Sequence, residues 1–267
     1  MKTMLYFFLF SYAIASVAQH NLTVLSWNVE SGGNDSSYVA QRLRDLEGID
    51  LLGLSEVREN EQNTFTSAAA FGENASYNSV LGQTGGGDRL LIIYNDDRFD
   101  LLDQNELDNI NIDGTVRSPL VVHIRDNHAQ KEFLFMVNHL ARNDRNGGTP
   151  NRRQVQAQML NQWVANQTLP VIAVGDYNFD FEIDSSTHDP AMDLLLENQH
   201  FFWVYPQLLV RTNCNFNFDD AILDFFFVNR QGLKWSPESE IMIHYEDCLI
   251  PNANSDHRAI IGYLSVK

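Results

Sequence analysis

Short apolar segments that each end in a polar or charged residue recur along the chain and constrain its fold most strongly. The clearest spans residues 169–178, where an apolar run is followed by Gly175, Asp176 and, after Tyr177, Asn178. The run is too short for a buried helix and predicts a strand. Side chains two residues apart on a strand point the same way, so Asp176 and Asn178 should face the same space beyond the strand end. The alternative interpretation is a polar turn, because Gly, Asp and Asn are the usual turn residues.

Polar residues lie at or near the ends of many of the other predicted strands as well. They are Asn28, Glu56, Asp88, Arg117, His139, Asp224, Asp256 and His257. Taken singly, each has a structural explanation as a turn residue, a cap, a solvated charge or a hydrogen-bonded core histidine. Taken together, they supply hard oxygen ligands, imidazoles, acids that orient the imidazoles, and an arginine. This combination indicates a metal-assisted phosphate site.

The order of the predicted elements favours one α/β domain. The predicted strands include 22–28, 49–54, 78–81, 90–94, 133–137, 222–228, 241–245 and 259–264. Helices are predicted from Ser36 or Ser37, over 59–71, from Thr149-Pro150 past Trp163, and over 191–198. Strands outnumber helices and several neighbours are close enough in sequence for hairpins, which favours a single α/β sandwich over a doubly wound parallel sheet.

Residues 1–18 have the features of a secretory signal peptide. Lys2 precedes an apolar stretch, and residues 16–18 are small enough for cleavage before Gln19. The stretch is shorter than the roughly 20 residues that a membrane-spanning helix needs. We therefore expect a secreted or periplasmic protein whose mature chain, residues 19–267, is a single domain.

The charge of the chain limits its partners. The formal net charge is -17, and loss of Lys2 with the signal peptide removes one positive charge and makes it -18. Such an excess of negative charge opposes indiscriminate binding to polyanions. It leaves a phosphate substrate open, because a bound metal or local cations can reverse the field at one site.

The two cysteines, Cys214 and Cys248, suggest one disulfide if the protein is exported to an oxidising compartment. Two buried thiols are the alternative. Both cysteines precede candidate site residues, Cys214 before Asp224 and Cys248 before Asp256 and His257. A disulfide would therefore join two loops at the rim of the site.

Six short motifs occur in order along the chain. They are Ser26-Trp27-Asn28, Leu54-Ser55-Glu56-Val57, Asn138-His139-Leu140, Gly175-Asp176-Tyr177-Asn178, Leu223-Asp224-Phe225 and Ser255-Asp256-His257-Arg258. In order and approximate spacing, they resemble the endonuclease/exonuclease/phosphatase superfamily, which has the deoxyribonuclease-I-like fold. The resemblance covers nearly all of the mature chain. It implies a four-layer α/β sandwich, in which two central mixed β-sheets pack face to face between outer helices.

The resemblance also implies which residues hold the metal. Glu56 and Asn28 would hold the principal Mg²⁺, with Mn²⁺ or Ca²⁺ as alternatives, and Asp256 would lie near it. Asp176 and Asn178 would orient the attacking water or the phosphate.

Two histidines are implied as proton carriers, and either could act as the acid or the base. His257 would be steered by Asp224. His139 would be partnered by Asp88, which matches the acid of pancreatic-type deoxyribonucleases, and Arg117 matches their phosphate-contacting arginine.

A basic cluster follows His139 in the sequence. It consists of Arg142, Arg145, Arg152 and Arg153. Arg152 and Arg153 fall in the first turn of a predicted helix, where the helix dipole disfavours cations, so a nearby phosphate explains them better than helix stability does. A solvated loop and helix face is the alternative. We assign Arg142 to substrate binding.

The first functional hypothesis is an exported, divalent-metal-dependent phosphodiesterase, a nuclease that hydrolyses nucleic acids by in-line attack of water. A phosphatase or a sphingomyelinase-like phospholipid phosphodiesterase is the alternative. With a phospholipid substrate, residues 201–203, Phe-Phe-Trp, could touch a membrane, but a buried aromatic strand is the interpretation that we favour. A catalytically silent binding protein is a further alternative. No stable protein partner is implied, and we expect a monomer.

Overall fold

Two six-stranded mixed sheets, stacked face to face, form the centre of the fold. The computed structural model describes residues 21–30, 35–71, 73, 75–114, 116–142, 152–214, 221–248 and 255–267. Within these residues, helices cover the outer faces of both sheets. The four-layer α/β sandwich expected from the sequence is therefore confirmed. The expected signal peptide, residues 1–18, lies outside the described residues.

The described residues form strands that range from a short edge strand to a long central strand. In chain order they are β1 (Leu22–Asn28), β2 (Leu51–Val57), β3 (Tyr77–Leu81), β4 (Arg89–Asn95), β5 (Phe99–Glu106), β6 (Leu120–Asp126), β7 (Lys131–His139), β8 (Val171–Glu182), β9 (Phe201–Trp203), β10 (Ala221–Asn229), β11 (Glu238–Ile241) and β12 (Ile260–Leu264). The first sheet has the order β11-β12-β1-β2-β4-β3, and the second has the order β5-β6-β7-β8-β10-β9.

The helices of the described residues bury one apolar side each. They are α1 (Ser36–Arg44), α2 (Gln62–Phe71), α3 (Arg152–Ala165) and α4 (Pro190–Leu196). α1 and α2 pack on the first sheet and α3 and α4 on the second. The cap of α1 is Asp35, whose side chain accepts a hydrogen bond from the Ser37 N–H, and not a serine as predicted. None of the described helices combines the length and the apolar character that crossing a bilayer requires.

Two glycines of the first sheet allow the two sheets to approach closely. A Cβ at Gly53 on β2 would lie 2.6 Å from a Val137 methyl and 2.8 Å from a Val174 methyl of the second sheet. A Cβ at Gly262 on β12 would lie 2.7 Å from the Phe226 ring. Side chains of the facing sheet fill the space left by both glycines, so the core is dense where the sheets meet.

Each sheet contains one parallel pair of central strands, and this places the candidate residues at one edge. β1 pairs with β2 in the register Asn28↔Ser55, and β7 pairs with β8 in the register His139↔Asp176. Parallel neighbours end on the same side. β1 and β2 also contact β8 and β7 across the interface between the sheets. Polar residues from four strands therefore meet at one edge of the sandwich.

The structure differs from the predicted elements in two places. β8 does not stop at Gly175 but continues to Glu182, because β10 pairs with it as far as Ala221↔Glu182. The predicted strand over 241–245 is wrong: β11 ends at Ile241, and a turn follows. The predicted helix start at Thr149-Pro150 lies outside the described residues. Residues 201–203 form the edge strand β9, which pairs with β10. Phe201 is buried, and Phe202 and Trp203 are half-buried, which agrees better with a strand of the fold than with a membrane contact.

Replacing Arg98 by methionine should destabilise the fold by about 3–5 kcal/mol, because it would leave buried carboxylates without a partner. The Arg98 guanidinium lies 2.7 Å from Asp50 and 2.6 Å from Asp126, and Asp126 is fully buried. Equilibrium unfolding in urea measures the change in the free energy of unfolding.

Arg125→Met is the matched control, because the Arg125–Glu132 ion pair is largely exposed. We expect no measurable change in stability from it. Equal losses from the two substitutions would contradict the importance of the buried pairs.

Candidate active site

A cleft of about 320 Å³ opens at the edge of the sandwich where β1, β2, β7 and β8 end. Its lining combines four carboxylates with two imidazoles, two guanidinium groups and one amide: Glu30, Glu56, Asp176, Asp256, His139, His257, Arg117, Arg142 and Asn178. The remaining predicted site residues contact this lining: Asn28, Asp88 and Asp224. The structure therefore brings the residues predicted to bind the metal or the substrate, or to transfer protons, into one region.

Gly175 allows β8 to pass close to β7 and to deliver Asp176 and Asn178 to the cleft. It has a φ of 134°, and a Cβ there would lie 2.0 Å from the Asn138 carbonyl oxygen. Asp176 Oδ1 accepts the Asn178 N–H at 2.9 Å, and the Asn178 side chain donates to the Leu140 carbonyl at 3.1 Å. Both polar side chains line the cleft, as their spacing predicted.

Glu56 and Asp176 share one amide donor, and both lie beside one imidazole. Asn28 Nδ2 donates to Glu56 Oε1 at 3.0 Å and to Asp176 Oδ2 at 3.1 Å. His139 Nε2 lies 3.8 Å from the same Glu56 oxygen and 3.5 Å from the same Asp176 oxygen. The register of β2 shifts between Leu54 and Val57, and Glu56 has a φ of 62°. This bulge turns the Glu56 side chain out of the ladder and towards the cleft.

Two buried residues, Asp224 and Trp27, hold His257 in its orientation. Its Nδ1 lies 2.7 Å from Asp224 Oδ2, and Asp224 is fully buried. The His257 carbonyl accepts the Trp27 Nε1–H at 2.9 Å. Because Asp224 takes the Nδ1 side, Nε2 faces the cleft and lies 3.9 Å from Asp176 Oδ2.

Burial and neighbouring charges shift the pKa of three groups in the cleft. Burial raises the pKa of Asp176 to about 7, although the nearby His257 opposes the shift. Burial alone would lower the pKa of His257, but the carboxylates of Asp224, Asp176 and Asp256 outweigh it and raise the pKa to about 10. Burial, with the positive charge of Arg117 nearby, holds the pKa of His139 well below its usual range.

The donor set of the cleft fits a hard divalent cation. Four lining carboxylates outnumber the two guanidinium groups, and carboxylate oxygens are the ligands that Mg²⁺, Mn²⁺ and Ca²⁺ prefer. Two groups of three residues each bring their candidate ligand atoms within 4.8 Å of one another. They are Glu56/Asp88/His139 and Asp176/Asp224/His257. The Asn28 amide presents its nitrogen to both carboxylates, so its oxygen would face a cation after a half-turn of the amide group.

Asp88 does not pair with His139, contrary to the prediction. Its carboxylate forms an ion pair with Arg117, and Arg117 Nε also donates to the Asp88 carbonyl at 3.0 Å. His139 Nδ1 has no hydrogen-bond partner among the described residues. Arg117 engages Asp88 Oδ2, whereas Asp88 Oδ1 has no hydrogen-bond partner among the described residues. A carboxylate oxygen of Asp88 still lies within 4.8 Å of a His139 ring nitrogen, so the two residues are neighbours without a hydrogen bond.

The arginine cluster divides between two places. Arg142 lines the cleft, but Arg153 is only 2% exposed and forms ion pairs with Asp180 and Asp189. The interpretation that Arg153 needs a nearby phosphate is therefore wrong, because carboxylates of the same chain balance its charge. Arg145 lies outside the described residues, and Arg152 begins α3.

Glu30 lines the cleft and was not predicted. Its Oε2 accepts the Asp256 N–H at 2.9 Å, and its own N–H donates to Asn28 Oδ1 at 3.0 Å. The available signal was its position two residues after Asn28, which carries little weight in a chain with many acids.

Cys214 and Cys248 form the expected disulfide. The Cys214 N–H donates to the Asp256 carbonyl at 2.5 Å, and Asn213 pairs with His257 in an isolated β-bridge. The disulfide therefore ties the turn after β11 to the segment that carries Asp256 and His257.

The fold and this site define a phosphoric ester hydrolase of the deoxyribonuclease-I-like class. The model of the Endonuclease/Exonuclease/phosphatase family matches residues 25–244, and the chain belongs to that family. Members of the family are phosphoric ester hydrolases, and many depend on a metal. No curated protein matches the chain.

Solved structures with the same fold differ in what they act on. The mannosyl-6-phosphatase of Bacteroides thetaiotaomicron is 18% identical, with a TM-score of 0.66 over 91% of this chain and 99% of that chain. D. rerio TDP2, solved with a single-strand DNA product, is 16% identical, with a TM-score of 0.70 over 91% and 98%. Beta toxin from Staphylococcus aureus is 16% identical, with a TM-score of 0.67 over 91% and 99%. At these identities the comparison establishes the fold.

Gly175→Ala should lower phosphoester hydrolysis by at least about 10-fold and destabilise the fold by about 1–3 kcal/mol. The added Cβ would collide with the Asn138 backbone and force β7 and β8 apart beside His139 and Asp176. Hydrolysis of bis(p-nitrophenyl) phosphate and unfolding in urea measure the two effects.

Gly87→Ala is the matched control, because nothing lies within 4 Å of a Cβ at that position. We expect it to leave activity and stability unchanged. A Gly175→Ala protein that behaved like this control would show that the close approach of the strands is unimportant.

Proposed function

We propose that the protein is an exported, divalent-metal-dependent phosphodiesterase whose substrates are nucleic acids. The observation that supports this most directly is that His139 and His257 both present Nε2 to Asp176, at 3.5 and 3.9 Å, beside Glu56. Hydrolysis of a phosphodiester needs two proton transfers, because the attacking water loses a proton and the leaving alkoxide gains one. Two imidazoles around one acid cluster are suited to both.

The proposed reaction is in-line attack of water on phosphorus. A divalent cation held by Glu56, with Asn28 and Asp256 in reach, would neutralise charge that develops on the phosphate oxygens. Asp176 and Asn178 would orient the water or the phosphate. These residues lie on the ends of packed strands and on one secured loop, so they need little reorganisation during the reaction.

The two histidines would carry the protons. Asp224 keeps a proton on His257 Nδ1, so Nε2 is the atom that exchanges a proton in the cleft. His139 Nε2 would serve the oxygen on the other side of the phosphorus. Both exchanges occur next to Asp176, whose raised pKa also allows it to take up a proton near neutral pH.

Nucleic acid is the substrate class that we favour because Arg117 and Arg142 add two guanidinium groups to the cleft lining near His139. They could contact phosphates next to the one being hydrolysed. The TDP2 structure with a DNA product shows that the same fold accommodates a single strand. Export is supported by the composition of residues 1–18 and by the disulfide between Cys214 and Cys248.

A small phosphate ester is the second candidate, and the charge of the cleft favours it. Arg153 is engaged by Asp180 and Asp189 and does not extend the basic surface. Among the described residues, two arginines therefore line the cleft beside four carboxylates. A short substrate would need no basic residues beyond these two arginines.

The experiment compares plasmid DNA, single-stranded RNA, sphingomyelin liposomes and inositol phosphates, each with Mg²⁺, Mn²⁺, Ca²⁺ or a chelator. We expect metal-dependent cleavage of nucleic acid, no cleavage with chelator, and a steep loss of activity as salt rises. His257→Ala should reduce the rate by at least about 100-fold, which assigns the hydrolysis to this cleft.

Other outcomes separate the alternatives. Hydrolysis of inositol phosphates with a flat salt response would establish the small-ester candidate, and preferential cleavage of sphingomyelin would establish a phospholipid substrate. A protein that cleaved no ester at millimolar metal would be the catalytically silent relative, and the proposal would be withdrawn.

A further inference from the structure

The carboxylate of Asp247 is buried although the residue lies in a turn after β11. Its side chain is only 4% exposed. Oδ2 accepts the His244 N–H at 2.8 Å, and Oδ1 lies 3.1 Å from Arg42 Nη1. Oδ2 also lies 3.6 Å from Arg258 Nε. A buried carboxylate is costly unless it is paired, so this turn is built around one acid and two arginines.

The turn lies at the same edge as the cleft. The Met242 N–H donates to the Ala259 carbonyl at 2.9 Å, next to the segment that carries Asp256 and His257. That segment precedes β12 and has no ladder of its own, apart from the single bridge between His257 and Asn213. Its position therefore depends on a few isolated backbone hydrogen bonds and on side-chain contacts.

Arg258 connects Asp247 to both members of the His257–Asp224 pair. It follows His257 directly, and its N–H donates to the Thr212 carbonyl at 2.8 Å. Thr212 Oγ1 in turn accepts the Asp224 N–H at 3.2 Å. A displacement of Arg258 would therefore move the histidine relative to the acid that orients it.

Arg42 connects Asp247 to His257 by a second path. Its guanidinium lies over the Trp27 ring, 5.5 Å from the ring centroid. Trp27 Nε1 donates to the His257 carbonyl at 2.9 Å. The two paths leave Asp247 from different oxygens and reach the same residue.

The disulfide gives a third connection. Cys248 is the neighbour of Asp247, and it is bonded to Cys214, whose N–H donates to the Asp256 carbonyl. The connections from Asp247 and Cys248 described here therefore all lead to His257 or to a residue next to it.

We infer that Asp247 is a positioning residue for His257: it holds Arg258 and Arg42 so that the imidazole stays within hydrogen-bond distance of Asp224 and faces Asp176. The inference rests on the proposed role of His257 in proton transfer. Asp247 itself does not line the cleft, so it acts through its two arginines and not on the substrate.

The test compares Asp247→Asn and Asp247→Ala on the phosphoester that the unmodified protein cleaves. We expect kcat to fall about 10- to 100-fold, whereas KM should stay within about twofold, because the residues that bind the phosphate are untouched. Mn²⁺ affinity, measured by calorimetry, should also stay within about threefold, since Glu56 and Asn28 do not contact Asp247. In a His257→Ala background, adding Asp247→Ala should cost less than about twofold.

Glu246→Gln is the matched control. Glu246 is the neighbouring acid of the same turn, but its side chain bonds to Tyr38 and not to either arginine. We expect kcat and KM to be unchanged. Asp247→Asn retains the volume of the side chain and an acceptor for the His244 N–H, so it keeps the test valid if Asp247→Ala does not fold.

Proton NMR separates positioning from simple stabilisation. The His257 Nδ1 proton, hydrogen-bonded to Asp224, should give a downfield resonance that moves or broadens in Asp247→Ala and stays in place in Glu246→Gln. A lower Tm with kcat and this resonance unchanged would overturn the inference. If the unmodified protein cleaves no ester, the proposed function fails, but the resonance still decides whether Asp247 positions the ring.

Discussion

Several carboxylates that meet in one cleft, two of them buried, are the constraint on which the rest of the structure depends. Asp176 and Asp224 are almost completely buried, and Glu56 lies beside them. Buried negative charge is costly unless it is paired. Asp224 pairs with His257, whereas Asp176 and Glu56 share the single amide of Asn28. The remaining excess of negative charge is what a divalent cation would balance, so the order of the site and the metal dependence that we propose would have the same cause.

Two different parts of the fold hold the residues of the site in place. Asn28, Glu56, His139 and Asp176 lie on central strands whose spacing is fixed by dense packing and by the parallel pairs β1–β2 and β7–β8. His257, in contrast, lies on a segment between the disulfide-linked turn and β12. Strand pairing holds the first group rigidly, whereas isolated backbone hydrogen bonds and side-chain contacts secure the segment that carries His257. This difference explains why so many polar contacts converge on a short segment.

Local patterns predicted the residues of the site but not all of their partners. β1 has the predicted bounds, and the spacing of Asp176 and Asn178 correctly predicted that both face one cleft. Asp88 lies near His139 as predicted but forms its ion pair with Arg117 and no hydrogen bond with the imidazole. Such competition depends on neighbours that are distant in sequence. The strand pattern did suggest a sandwich, but the four-layer arrangement came from the resemblance carried by six motifs.

The extent of β8 shows a second limit of sequence-based prediction. Gly175 and Asp176 have the propensities of a turn, yet β10 continues the ladder past them to Glu182. Tertiary pairing therefore overrides local preference. Arg153 illustrates the same point for charges, since its counterions, Asp180 and Asp189, lie on other elements and are not evident from its position in α3.

The central claim is that the cleft binds one divalent cation at its carboxylate cluster, and anomalous diffraction from crystals grown with millimolar Mn²⁺ tests it most directly. We expect a peak about 2.0–2.6 Å from a Glu56 carboxylate oxygen, with the Asn28 amide oxygen turned towards it, and no peak there in Glu56→Ala. A cleft without a peak at saturating Mn²⁺, or a peak bound by residues outside it, would contradict the account.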